Sequence, residues 1–171
     1  MHASPSPISV ALRPFDDSDL PLLETWLSRE HVRPWFSDPE SWLREVRGRR
    51  GAFSFIHHFI ALCGGAPAGF CQFYLCADAD EPEYRPFPRR GTYSIDYLVG
   101  EERFLRRGLG RAIVLELARA VFARPDAALV AVLPDPGNAP SRNTLLSAGF
   151  LPDDATGVFL LAKPIHPTPA P

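Results

Sequence analysis

Two short stretches of this chain combine residue types and spacings that could do chemistry. The first is Phe104-Leu105-Arg106-Arg107-Gly108-Leu109-Gly110-Arg111, which leaves a predicted strand and opens a predicted helix. Gly108 and Gly110 remove side chains where a ligand would press on the backbone, and free N–H groups at a helix start attract anions. With Arg106, Arg107 and Arg111 beside them, these residues read either as a phosphate cradle or as a helix start with a solvated basic face. The stretch is not a nucleotide P-loop, because the Gly-Lys-Ser/Thr ending is absent, and Ile113 stands where a dinucleotide fingerprint has its third glycine.

The second is Asp96, in the middle of Thr92-Tyr-Ser-Ile-Asp-Tyr-Leu-Val99. Aspartate is depleted in strands, and alternation puts it on one face with Ser94 and Leu98, opposite Tyr93, Ile95, Tyr97 and Val99. A carboxylate there is placed either to accept a proton from a substrate or to bond a neighbouring loop.

The elements that must position these residues follow from periodicity. Ile8, Val10 and Leu12 alternate into a strand that Pro14 ends, and Asp16 or Asp17 caps a helix over 18–28. A short helix follows Asp38-Pro39-Glu40. Segments 53–62 and 68–77 flank Gly64-Gly65 as a hairpin, and 78–90, rich in acids and proline, is expected to be irregular. After the Asp96 strand come a helix over 108–123, a strand over 128–133, a helix near 139–148 and a last strand from Val158 to Leu161. This order predicts a mixed α/β (α+β) fold with a central sheet flanked by helices. Residues 8–163 are read as one domain, with 1–7 and the Pro-rich 164–171 as tails.

Composition bounds the partners. A chain of 171 residues with 46% hydrophobic and 22% charged residues is an ordinary globular one. Its 18 basic and 20 acidic residues sum to −2, and Lys163 is the only lysine, which argues against a nucleic-acid partner. No apolar run is long enough for a membrane span, and Met1 to Pro7 lacks the features of a secretory signal. Cys63, Cys71 and Cys76 have neither a disulfide pattern nor zinc-ligand spacing, so a reducing cytoplasm is expected. His57 and His58 are adjacent on a strand and point to opposite faces, so no metal site is expected.

The ordered set of Trp26-Leu27, His31, Trp35, Ser94-Ile95-Asp96, Val99-Gly100, Gly108-Leu109-Gly110, Pro134, Pro136, Asn138 and Ala148-Gly149-Phe150 resembles the GNAT superfamily of acyl-CoA-dependent N-acetyltransferases. The resemblance runs from Val10 to Leu161 and is greatest to the aminoglycoside 6'-N-acetyltransferases, with siderophore-type N-acyltransferases as relatives. It implies a GNAT fold, acetyl-CoA as acyl donor, and a small cationic amine as acceptor, handled by a monomer or homodimer. It also implies that Arg106, Arg107, Gly108, Leu109 and Gly110 hold the donor's pyrophosphate, with Arg111 beginning the helix behind them. The pantetheine arm then lies along Tyr97, Leu98 and Val99 and meets Asn138, backbone N–H groups near Leu98 serve the oxyanion, and Asp96 is the general base. The acids Asp78, Asp80, Glu81 and Glu83 read either as facing a polycationic acceptor or as a solvated loop, and Trp35 and Phe36 either as an apolar wall for a sugar ring or as ordinary core aromatics. Three positions depart from the pattern: Leu145 replaces a tyrosine on the last helix, Leu133 an acid, and Leu105 an arginine or glutamine. A siderophore-precursor N-acyltransferase and a non-catalytic acyl-CoA-binding module are the competing expectations.

Overall fold

The computed structural model describes residues 8–164, so the two expected tails lie outside the described residues except for Pro164. Strand β1 (Val10–Pro14) leads to a 3-10 turn at Asp17–Asp19, where Asp16 and Asp19 form a capping box, and then to helix α1 (Leu20–Leu27). Helix α2 (Pro39–Arg47) starts at Asp38, whose carboxylate accepts from Ser41 N. Strands β2 (Ile56–Cys63) and β3 (Ala66–Leu75) form the expected hairpin. Its turn is made by Gly64 and Gly65 at φ +59° and +80°, a conformation that costs glycine little. Strand β4 (Thr92–Val99), helix α4 (Leu109–Phe122), strand β5 (Leu129–Val132), helix α5 (Ala139–Ser147) and strands β6 (Leu151–Pro152) and β7 (Phe159–Ala162) complete the chain.

The segment 78–90 is not irregular throughout. It begins in a one-turn helix α3 (Cys76–Ala79) and contains a 3-10 turn at Pro82–Tyr84. Tyr84 explains the turn: its buried hydroxyl accepts from Ser94 Oγ at 3.0 Å and from Leu133 N at 3.2 Å, anchoring the segment to β4 and to the end of β5.

Among the described residues the strands make one sheet in the order β1-β2-β3-β4-β5-β7-β6. All neighbours are antiparallel except β4 and β5, which pair in parallel only at Thr92 with Leu129 and Tyr93 with Val130 and then part. One face is covered by α4 and α5 over Tyr93, Ile95, Cys71 and Phe73, and the other by α1 and α2 over Ile60, Phe70 and Leu98. The mixed α/β architecture expected from the sequence is thus present, with a gap where β4 and β5 part.

Candidate active site

The face of the sheet under α1 and α2 changes character row by row. Ile60, Phe70 and Leu98 stand side by side across β2, β3 and β4 in one apolar row, and the next row is His58, Gln72 and Asp96. The row after that is Ile56, Tyr74 and Ser94. Asp96 therefore sits where the apolar core ends, on the face that strand alternation predicts. Its Oδ2 accepts from Gln72 Nε2 at 3.0 Å. Burial pushes its carboxyl up to about 7, against the Gln72 hydrogen bond that favours the ionised form, and the nearby charges of Glu45 and Glu81 add to the rise.

A cavity of about 450 Å³ opens in front of Asp96. Trp35, Trp42 and Phe55 supply apolar wall, and Glu45 and Glu81 converge with Asp96 on it. Each of these carboxylates has one oxygen held by a neighbour. His58 Nε2–H donates to Glu45 Oε1 at 3.2 Å, Tyr74 Oη donates to Glu81 Oε2 at 2.8 Å, and Gln72 holds Asp96. Burial also raises Glu81 from its ordinary value, against the hydrogen bond from Tyr74.

The expected acidic loop is thereby divided. Glu81 lines the cavity, whereas Asp80 turns to the surface and pairs with Arg85 at 3.4 Å and Arg89 at 4.0 Å. Asp78 and Glu83 are exposed and do not line the cavity. Trp35 lines the cavity, 38% exposed, whereas Phe36 is not on its lining and packs against Trp42 with ring centroids 4.8 Å apart. Of the two histidines, His57 lies against Phe73 and His58 is buried beside Glu45, on opposite faces of β2.

The second half of the site is the gap between β4 and β5. Gly100 N donates to Ala68 O, and an antiparallel ladder alternates, so Asp96 and Leu98 spend their N–H and C=O on β3 while Tyr97 and Val99 point theirs toward the gap. Leu98 also buries its side chain under α1. The free edge expected at Tyr97, Leu98 and Val99, including the oxyanion donors placed near Leu98, belongs to Tyr97 and to the N–H of Val99. His31 Nε2–H donates to Val99 O at 2.8 Å and Trp26 Nε1–H to Glu101 at 2.9 Å, which fixes the exit of β4 to the end of α1.

Beyond that exit the chain reaches α4 through Arg106 at φ 58° and Gly108 at φ 85°. No side chain caps α4, so the N–H groups of Leu109, Gly110 and Arg111 keep the vacancies of a helix start. A Cβ at Gly108 would meet nothing within 4 Å, so the backbone there is open to a bulky anion. Arg106 and Arg107 are exposed beside it, while Arg111 commits its Nε to Ser147 O at 2.8 Å. Asn138 caps α5, its Oδ1 accepting from Ser141 N at 3.0 Å, and the Tyr97 hydroxyl hydrogen-bonds Ser141 Oγ at 2.9 Å. These residues fit a ligand with a phosphate head and an extended amide arm. Leu145, one of the departures from the resembled pattern, is fully buried in the core, and Leu133, another, is 40% exposed just after β5.

Gln72, Tyr74, Trp42, Phe55 and Glu45 were not singled out from the sequence. Gln72 carried the same signal as Asp96, a lone polar residue in an apolar strand. Glu45 carried none, because its place on α2 does not say which of the flanking surfaces it faces. Among the described residues no helix is long and apolar enough to cross a membrane.

A family model described as an acetyltransferase (GNAT) domain matches residues 16–156. Aminoglycoside N(6')-acetyltransferases type 1 from Klebsiella pneumoniae and Serratia marcescens are each 28% identical over 152 residues, covering 83% of this chain and 74% of theirs. A crystal structure of aminoglycoside acetyltransferase AAC(6')-Ib in complex with coenzyme A superposes with a TM-score of 0.79 at 24% identity, over 91% of this chain and 95% of that one. The aminoglycoside N(6')-acetyltransferase of Legionella pneumophila does so at 0.72 and 15% identity, over 90% and 91%. Both share the fold. With a strand-borne carboxylate on one side of a parted sheet and an uncapped, glycine-opened helix start on the other, the chain belongs to the GNAT acetyltransferase family.

Proposed function

We propose that the protein transfers the acetyl group of acetyl-CoA to a primary amine of a small polycation of the aminoglycoside kind. The observation that carries the acceptor half is the cavity at Asp96, into which Glu45 and Glu81 also bring carboxylates. With Asp38 also on the lining, four carboxylates in one cavity raise the local concentration of a multiply charged amine. The names of the relatives from Klebsiella pneumoniae and Serratia marcescens, both aminoglycoside acetyltransferases, support the same class. The donor half is supported by the bare start of α4 for the pyrophosphate and by the edge at Tyr97 and Val99 for the arm. The free thiols Cys63, Cys71 and Cys76 fit a reducing cytoplasm.

The donor supplies an activated thioester. An ammonium has no lone pair, so the amine must shed a proton before it attacks, and Asp96 is the carboxylate in the cavity with a proton affinity matched to neutral pH. The new N–C bond forms as the C–S bond breaks, and the N–H groups of Tyr97 and Val99 face the gap where negative oxygen develops. Leu145 leaves no phenol on α5 for the departing sulfur, which then takes its proton from water or from the new ammonium.

The reading is tested by measuring CoA release from acetyl-CoA with a panel of aminoglycosides, hydroxylysine, polyamines and peptide N-termini. Turnover restricted to aminoglycosides is the expected outcome. Turnover of hydroxylysine alone would assign a siderophore precursor instead, and tight CoA binding without turnover of any acceptor would make the protein a binding module.

A further inference from the structure

Gln72 is 1% exposed in an otherwise apolar stretch of β3, and a buried amide in such a place has a desolvation cost that an apolar residue would avoid. Its Nε2 donates to Asp96 Oδ2 at 3.0 Å, while its Oε1 is buried with no hydrogen-bond partner. The register of the sheet places it directly between His58 on β2 and Asp96 on β4, on the wall of the cavity.

We propose that Gln72 is the positioning residue of the base: it fixes Oδ2 of Asp96, so that Oδ1 is the oxygen that takes the proton of the acceptor amine, and its N–H favours the carboxylate over the acid. The proposal rests on the reading of Asp96 as the base. The other groups facing Asp96 act against ionisation or leave it unchanged. Glu45 from α2 and Glu81 from the segment after α3 are like charges, and the phenols Tyr74 and Tyr84 are held neutral by burial. His58, the remaining titratable group of the row, is engaged by Glu45.

In the transfer step one amine proton passes to Oδ1 and on to water, the N–C bond forms as the C–S bond breaks, and the departing thiolate takes a second proton from the acylated nitrogen. Protonated at Oδ1, Asp96 still offers Oδ2 to Gln72 Nε2–H, so the base keeps the same partner on both sides of the proton transfer.

The test compares the pH dependence of kcat/KM in the wild type, Gln72→Met and Gln72→Glu, with Asp96→Asn as reference. Gln72→Met has the same reach but no donor, so the acid limb should move up by about one pH unit, and Gln72→Glu should move it further. Both variants should keep the wild-type KM for acetyl-CoA and recover activity as the pH is raised, which Asp96→Asn should not. A merely structural glutamine would lower activity at every pH and leave the limb in place. An unshifted limb in a folded Gln72→Met, or in Gln72→Glu if the first does not fold, overturns this proposal while an inactive Asp96→Asn upholds the base. Full turnover by Asp96→Asn overturns both together.

Discussion

Among single residues, Asp96 is the one on which the proposed chemistry depends. Replacing it by asparagine keeps the shape and the reach to Gln72 but removes the base, so turnover should fall by about 10²-fold or more while the KM for acetyl-CoA stays constant, as steady-state kinetics would reveal. The same substitution should stabilise the fold in one pH range only. Asp96 ionises with greater difficulty in the folded chain than in the unfolded one, so its contribution to stability is fully present below the unfolded value of 3.8 and is lost as the pH rises through about 7. Thermal unfolding should therefore place Asp96→Asn above the wild type by several degrees at about pH 8, with little difference at about pH 4. Asp96 was legible in the sequence because a strand has a strict period and an acid breaks it. The loop acids were not: nothing in Asp78, Asp80, Glu81 and Glu83 says that only Glu81 turns inward, since that choice is made by the hydrogen bond from Tyr74 and by the arginines that hold Asp80.

At the scale of elements the donor half depends on how α4 begins. Gly108 lies at a positive φ with open space before it, so Gly108→Val would both strain the turn and fill the cradle. The expected result is a rise of about tenfold or more in the KM for acetyl-CoA, one lost anion contact being of the order of 1.4 kcal/mol or more, together with a lower unfolding temperature, since a β-branched residue at that φ costs about 1–3 kcal/mol. Gly100 is constrained in another way, since a Cβ there would overlap the Trp26 indole that fixes the exit of β4. Gly100→Ala should cost about 1–3 kcal/mol of stability, measurable as a lower denaturation midpoint. The main helices and strands could be read from the sequence because their caps and periods are local: Asp16, Asp38 and Asn138 each accept from a backbone N–H within three residues. The one-turn helix at Cys76–Ala79 and the turn at Pro82–Tyr84 could not, because they are held by long-range bonds from Tyr84 to β4 and β5. The exchange of Leu98 for Tyr97 and Val99 as the free edge likewise needed the pairing of β3 and β4, which no single strand discloses.

At the scale of the molecule the formal charge of −2 divides into two local fields. Glu45, Glu81 and Asp96 gather at the acceptor cavity, and Arg106 and Arg107 stand beside the start of α4. The kcat/KM for a polycationic acceptor should accordingly fall as salt is added, and the fall should be shallower in the double variant Glu45→Gln, Glu81→Gln, since steering between charges is screened over a Debye length of about 8–10 Å. The fold placed these fields on either side of the strand that carries Asp96, and that placement is what the proposed reaction requires. The most direct measurement is mass spectrometry of an aminoglycoside after incubation with acetyl-CoA and either wild type or Asp96→Asn. A single acetyl group on a primary amine with the wild type, and none with the variant over the same interval, is the predicted result. An aminoglycoside left unmodified by a folded wild-type protein that binds acetyl-CoA, or acetylated equally by both proteins, would contradict it.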